Sequence, residues 1–219
     1  ALQIKESQAA TVTVISSGTE FALDVMKKPL SMGADELVLL QDEAFANTID
    51  SFVTAQLLAA AIRKLDGFDL VICGRQASDW DNAQVPVGVA SMLKLPIITV
   101  GRKVEITAEN VRVERVLPNG YELVESNLPA VVTLSSELGE PRYPTLRGIM
   151  AATKKQPILW SLNDLSIDEV FDVQDKIAEE IVATIVGRVE ADSLNALTIK
   201  RPENMASYDL VLQLSLIHI

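Results

Sequence analysis

The chain contains few of the residues that most often carry chemistry. Cys73 is the single cysteine among 219 residues, so no internal disulfide can form, and this usage favours a reducing compartment. The single histidine, His218, is the penultimate residue, so the commonest catalytic acid or base is missing from the body of the chain. No apolar run reaches about 18 residues, which argues against a transmembrane helix.

Basic residues are also scarce. The 19 lysines and arginines are scattered and are outnumbered by 30 acidic residues, giving a net charge of −11. This distribution argues against a nucleic-acid footprint and against binding to an anionic membrane surface. With 48% hydrophobic and 22% charged residues, the composition is that of a globular protein with one ample core.

Apolar runs and helical patterns alternate along the first part of the chain. Strands are predicted at residues 11–15, 37–40, 69–73, 95–100 and 129–134, and helices at 19–26, 48–65, 85–93 and 145–153. This alternation predicts an α/β fold with a doubly wound, mostly parallel sheet. Short alternating strands around Asn119-Gly120 predict a small antiparallel meander inserted into it.

We expect neither end of the chain to be an end of the complete protein. The start at Ala1 resembles the last turns of a helix, so we expect a strand and most of a helix to precede it. We expect one domain over residues 1–158 and an extension over 159–213, with a helix at about 174–186. Residues 214–219 are what CTG TCT CTT ATA CAC ATC encodes, the end of a sequencing adapter, and we interpret them as an artefact.

The most polar turn of the chain follows the strand at 69–73. It contains Arg75, Gln76, Asp79, Asp81, Asn82 and Gln84 directly after Gly74. One interpretation is a solvated turn; the other is a phosphate site, because a loop and helix N-terminus at the carboxyl end of a parallel strand attract anions. The spacing matches neither a dinucleotide fingerprint nor a phosphate loop.

Other interpretations of this turn also stay open. Asp79 and Asp81 can be read as a general acid/base pair of a small hydrolase, but no nucleophile accompanies them. Trp80 either stacks on a base or packs over its own loop. Ser16-Ser17-Gly18, after an earlier strand, either lines the same crevice or forms an ordinary turn.

An apolar helix follows a proline-fixed segment at residues 140–144. Its apolar residues are Leu146, Ile149 and Met150. Either they pack in the core, or they form a protruding anchor for a protein partner.

Three ordered motifs resemble the beta subunit of electron transfer flavoprotein. They are Gly74-Arg-Gln-Ala with Asp79, Asp81 and Gln84; Arg115 to Gly120, Glu122 and Val124 to Thr133; and Glu140-Pro-Arg-Tyr with Thr145, Leu146, Ile149 and Met150. The resemblance covers residues 1–158. It implies a fold like that of the adenine nucleotide alpha hydrolases and a noncatalytic electron carrier rather than an enzyme, without a metal site.

The resemblance also implies a site for an adenine nucleotide, either AMP or, in electron-bifurcating relatives, a second FAD. The residues carried over by motif position are Ser17, Gly74, Arg75, Gln76, Ala77, Asp79, Asp81, Gln84 and Val85. Trp80 and Pro86 stand where bifurcating relatives have glycine. Leu146, Ile149 and Met150 are implied to dock on a partner.

The partners implied are an alpha subunit, which binds most of the electron-carrying FAD, and acyl-CoA dehydrogenase-type donors of fatty acid oxidation. The acceptor is a quinone oxidoreductase or ferredoxin. The location implied is the cytoplasm of a bacterium or the mitochondrial matrix. The alternative is a stand-alone adenine-nucleotide-binding sensor of similar fold, which needs no alpha subunit.

Overall fold

The predicted parallel strands are present, and they form two sheets. The computed structural model describes residues 1–47, 50–78, 81–165 and 167. The first sheet has three parallel strands in the order β1-β2-β8. These are β1 (Thr13–Gly18), β2 (Glu36–Gln41) and β8 (Ile158–Trp160).

The second sheet combines parallel strands with the predicted meander. Its order is β3-β7-β4-β5-β6, in which β7 pairs in parallel with β3 and β4, and β5 pairs antiparallel with β4 and β6. The α/β class with a mostly parallel sheet is thus confirmed. The strands are β3 (Leu70–Gly74), β4 (Ile97–Ile106), β5 (Asn110–Leu117), β6 (Gly120–Asn127) and β7 (Ala130–Leu134).

Helices connect the parallel strands, and local capping explains where two of them begin. The Asp50 carboxylate accepts from the Phe52 N–H at the start of α4, and the Thr145 hydroxyl accepts from the Gly148 N–H at the start of α6. None of the helices among the described residues is long and apolar enough to cross a membrane. The helices are α1 (Leu2–Ser7), α2 (Leu23–Met26), α3 (Lys28–Met32), α4 (Ser51–Leu65), α5 (Val85–Leu93) and α6 (Leu146–Lys154).

The interior is formed mainly by β2, β7 and α4. Leu37 to Leu40 of β2 are at most 2% exposed, as expected for a strand covered on both faces. Strands β1 and β3 are mostly half-buried. Each of them is an edge strand of its sheet. Ile15 of β1 and Val71 of β3 both pack against the core cluster of α4 and α5, so one helical layer covers both edges.

Five expectations need correction. Residues 19–26 form no single helix: α2 ends at Met26 and α3 starts again with Pro29 in its first turn, where the missing N–H is harmless. Strand β1 runs to Gly18 rather than ending at Ile15. The helix predicted from residue 48 begins at Ser51 within the described residues. Strand β8, only three residues long, was not predicted.

The fifth correction concerns β4. The strand predicted at residues 95–100 and the first short strand of the predicted meander form one continuous strand, with an irregularity between Ile98 and Gly101. Val100 has a φ of 60° there, and its N–H donates to the Thr133 hydroxyl at 2.9 Å. This bulge lets one strand pass from parallel pairing with β7 to antiparallel pairing with β5. The predicted helix at 174–186 and residues 190–219 lie outside the described residues.

Candidate functional site

The polar loop begins where β3 ends beside β7. Gly74 is in register with Leu134, and the Arg75 N–H donates to the Leu134 carbonyl at 3.0 Å. A Cβ placed on Gly74 would meet no atom within 4 Å. The packing within the described residues therefore does not require glycine at this position, and space is open in front of the backbone.

Two hydrogen bonds close the loop on itself. The Gln76 side-chain amide donates to the Asp81 carboxylate, and the Asp81 N–H donates to the Ala77 carbonyl at 3.0 Å. Three of the predicted site residues are thus brought together. Asp79 and Trp80 lie outside the described residues, so their roles stay predictions.

The end of the loop has a backbone shape that favours anions. Asp81 and Ala83 have φ values of 55° and 53°, in the left-handed region that side chains seldom adopt, and Gln84 returns to the right-handed helical region. Alternation of left- and right-handed residues turns successive N–H groups toward one concave side. Such a concavity accepts a negatively charged oxygen.

The N-terminus of α5 continues this concavity. Gln84 is its first capping residue, and the Gly88 N–H donates to the Gln84 carbonyl at 2.9 Å, but the Gln84 side chain makes no capping hydrogen bond. Val85 and Pro86 form the first turn, and proline has no N–H to satisfy. Among the described residues, no side chain caps the positive end of this helix.

Ser17 lies apart from these residues. It is the second-last residue of β1 and is in register with Leu40, so it belongs to the three-stranded sheet. No hydrogen bond joins it to the loop in the part of the chain that the structure describes. Strands β1 and β3 both pack against the cluster formed by α4 and α5.

Ser135 is a residue that the sequence patterns did not single out. It directly follows β7, its N–H donates to the Gly101 carbonyl at 2.9 Å, and its buried hydroxyl oxygen has no partner among the described residues. A buried hydroxyl without a partner is costly. The sequence shows only that Ser135 directly follows a predicted strand; the pairing of β7 with β3 places it beside the strand that ends at Gly74.

A separate cleft of about 600 Å³ lies at the carboxyl ends of β1, β2 and β8 and is acidic. The N–H groups of Ala44 and Leu162 hold the pKa of Asp42 below its usual value, and the Ser161 N–H and hydroxyl do the same for Asp164. Both carboxylates are therefore ionised acceptors at neutral pH. Their charge makes this cleft a poor place for a phosphate.

Among the described residues we find neither a candidate metal site nor an activated cysteine nucleophile. They contain no group of three or more His, Cys, Asp or Glu side chains that could hold a metal ion. Burial raises the pKa of the Cys73 thiol, which keeps it protonated and a weak nucleophile.

The predicted partner anchors lie on the outer face of α6. Leu146 is 77% exposed, Met150 62% and Ile149 43%, so the core-packing interpretation of these three residues is wrong for the described structure. Ala152 on the opposite face is buried. Among the described residues, these three side chains therefore form an exposed apolar surface.

The fold is that of an α/β protein with a polar loop at the carboxyl end of a parallel strand. Residues 1–165 match the family model described as the electron transfer flavoprotein domain. The chain belongs to that family.

Three relatives share this domain. The electron transfer flavoprotein subunit beta of Thermoanaerobacterium thermosaccharolyticum is 44% identical, with 77% of this chain and 65% of that protein covered. The subunit beta of Clostridium acetobutylicum is 39% identical, with coverage of 77% and 64%. The caffeyl-CoA reductase-Etf complex subunit CarD of Acetobacterium woodii is 39% identical, with coverage of 76% and 64%. The chain thus spans slightly less than two thirds of these relatives.

Proposed function

We propose that this chain is the beta subunit of an electron transfer flavoprotein and holds an adenine nucleotide in the crevice after β3. An alpha subunit binds most of the electron-carrying FAD. Acyl-CoA dehydrogenase-type enzymes supply the electrons, and a quinone oxidoreductase or ferredoxin accepts them. The proposal keeps the location that the resemblance implies, which is the cytoplasm of a bacterium or the mitochondrial matrix, and it assigns no catalytic residue to the chain.

The observation that carries the nucleotide part is the N-terminus of α5, which no side chain among the described residues caps, together with the left-handed turn at Asp81 and Ala83. Both features present N–H groups to an anion such as a phosphate. Arg75 is exposed beside them and adds a positive charge. Family membership supports this assignment, and one relative's name, which places it in a complex with caffeyl-CoA reductase, supports a partner that acts on CoA esters.

Nucleotide content tests the first part. The chain is coexpressed with its alpha subunit, the purified protein is denatured, and the released nucleotides are separated by chromatography. One FAD and one AMP per heterodimer are expected for a simple carrier, and two FAD for a bifurcating one. A stable flavin-free monomer would instead favour the stand-alone sensor.

Two arginine variants locate the nucleotide. Arg75→Ala should lower the AMP or second FAD content severalfold, because a charge-assisted contact to a phosphate contributes about 1.5–3 kcal/mol. Arg112→Ala is the matched control, since Arg112 pairs with Glu125 at 3.0 Å on the meander, away from the loop. Equal nucleotide content in both variants would place the nucleotide elsewhere.

Electron transfer tests the docking part. Leu146→Ala should slow reduction by an acyl-CoA dehydrogenase without changing the nucleotide content, because it removes an apolar anchor that is 77% exposed. Leu123→Ala is the matched control, because it removes the same atoms from a 61% exposed leucine of strand β6 instead of from helix α6. Similar rates for the two variants would argue against docking through α6.

A further inference from the structure

The turn between β5 and β6 joins an asparagine to a glycine at the outer end of the meander. Strand β5 ends at Leu117 and β6 begins at Gly120, and these two residues are in register. Pro118 and Asn119 alone therefore form the connection. The hairpin explains the choice of turn residues, but the proposed electron-carrier function makes no use of the Asn119-Gly120 pair.

The side chain of Asn119 is open to solvent. Asn119 and Gly120 are both exposed, and the Asn119 side-chain amide has no hydrogen-bond partner among the described residues. By contrast, Asn110 on the same meander donates its side-chain amide to the Glu125 carboxylate at 3.0 Å. The Asn119 amide is therefore free to turn toward the backbone that follows it.

The conformation of the turn requires glycine directly after this asparagine. Gly120 has a φ of 143°, which L side chains rarely adopt, and a Cβ placed on it would meet no atom within 4 Å. With no side chain beside it, the Gly120 backbone nitrogen is also unshielded. Asn119 is the only asparagine in the sequence that precedes glycine.

We propose that Asn119 is a site of spontaneous deamidation, a reaction to which asparagine is prone. The Gly120 backbone nitrogen attacks the Cγ atom of Asn119, and the new N–C bond closes a succinimide ring. The bond between Cγ and the side-chain nitrogen breaks, and that nitrogen leaves as ammonia with the proton of the Gly120 N–H. Water then opens the ring at either carbonyl and yields aspartate or isoaspartate.

The reaction needs a local opening of the turn and then changes the end of the meander. The pairing of Leu117 with Gly120 restrains the attacking nitrogen, but an exposed loop tip opens at little cost in free energy. Each modified chain gains one negative charge beyond its −11, and isoaspartate adds a backbone carbon to the turn. This inference does not rest on the proposed function.

Incubation of the purified full chain at neutral and at mildly alkaline pH tests the site. Trypsin cleaves after Arg115 and Arg142, so one peptide contains both Asn119 and Asn127, and Asn127 is the internal control. Mass spectrometry locates the modified residue, and an isoaspartyl methyltransferase labels the isoaspartate. Asn119→Gln blocks the reaction, because the longer glutamine side chain closes its ring far more slowly, and Asn127→Gln is its matched control.

We expect Asn119 to deamidate at least about fivefold faster than Asn127, because the backbone freedom of glycine alone corresponds to about that factor. The acidic form should accumulate faster at the higher pH, where more of the attacking nitrogen is deprotonated. Asn119→Gln should remove this form, and Asn127→Gln should not.

Equal rates at the two asparagines would overturn the inference. A folded chain that stays unmodified while the excised peptide converts would also overturn it, because the paired turn would then protect Asn119. Neither result would affect the proposed function, which the nucleotide content and the electron-transfer rates test separately.

Discussion

The substitution Gly148→Ala tests the contact that holds α6 in place. The new Cβ would lie 2.2 Å from the Ser31 carbonyl oxygen, whereas ordinary contact begins at 3.4 Å. The two helices must therefore separate by about 1 Å. Unlike the end of a long side chain, a backbone carbonyl cannot turn aside without moving its own helix.

The expected cost follows from two opposing terms. Overpacking of a well-packed contact destabilises by about 1–3 kcal/mol, and the backbone partner places this contact at the upper end. Alanine in place of glycine within a helix raises the free energy of unfolding by about 1 kcal/mol. The net loss of unfolding free energy is then about 2 kcal/mol.

Urea denaturation followed by circular dichroism measures this difference. Gly74→Ala is the control for adding a methyl group, because nothing lies within 4 Å of that position, and a change within about 0.5 kcal/mol is expected. Ala151→Gly, on the exposed side of α6, isolates the helix-propensity term at about 1 kcal/mol. A Gly148→Ala protein as stable as the parent, or more stable, would refute the close contact between α6 and α3.

Three further changes test other parts of the fold. Asp35→Asn should reduce the loss of stability at acid pH. Hydrogen bonds from Lys5 and Val12 lower the pKa of Asp35 in the folded protein. The ionised carboxylate therefore stabilises the fold above about pH 4, and this stabilisation is lost as the pH falls through the lowered pKa. Urea denaturation of both proteins at several pH values measures this, and parallel pH curves would contradict it. Asp50→Ala should cost about 1 kcal/mol in thermal or urea unfolding, because the carboxylate accepts the Phe52 N–H at 2.7 Å; an unchanged midpoint would count against that cap. Ala83→Gly should stabilise by up to about 1 kcal/mol, because glycine adopts a φ of 53° without strain; a loss of stability would show that the turn is not left-handed.

Much of the fold follows from local patterns. Helix α5 begins at Val85 and ends at Leu93 as predicted, because proline in the first turn marks a helix start. The meander follows from Asn119-Gly120, which joins β5 and β6 directly. Elements with weaker local signals were missed: β8 has three residues, and its pairing with β2 depends on residues about 120 positions away.

Part of the candidate site could likewise be predicted from local sequence, and part could not. Gly74 to Val85 could be placed at the carboxyl end of a strand, since strand and helix flank it. The left-handed conformation of Asp81 and Ala83 could not be predicted, because neither is glycine and the tertiary context must impose it. Ser135 was missed for a related reason: only the pairing of β7 with β3 and β4 brings it near the end of β3.

The sequence by itself determined the α/β class, the position of the polar loop and the resemblance that gave the family. These depend on hydrophobic period, on turn residues and on spaced motifs, which are all local or linear properties. Only the tertiary structure decided whether Leu146 and Met150 lie in the core or on the surface. The same helical pattern is compatible with both, because the neighbouring element determines which side of the helix is buried. Here Gly148 lets α6 approach the backbone of α3 and turns those side chains outward.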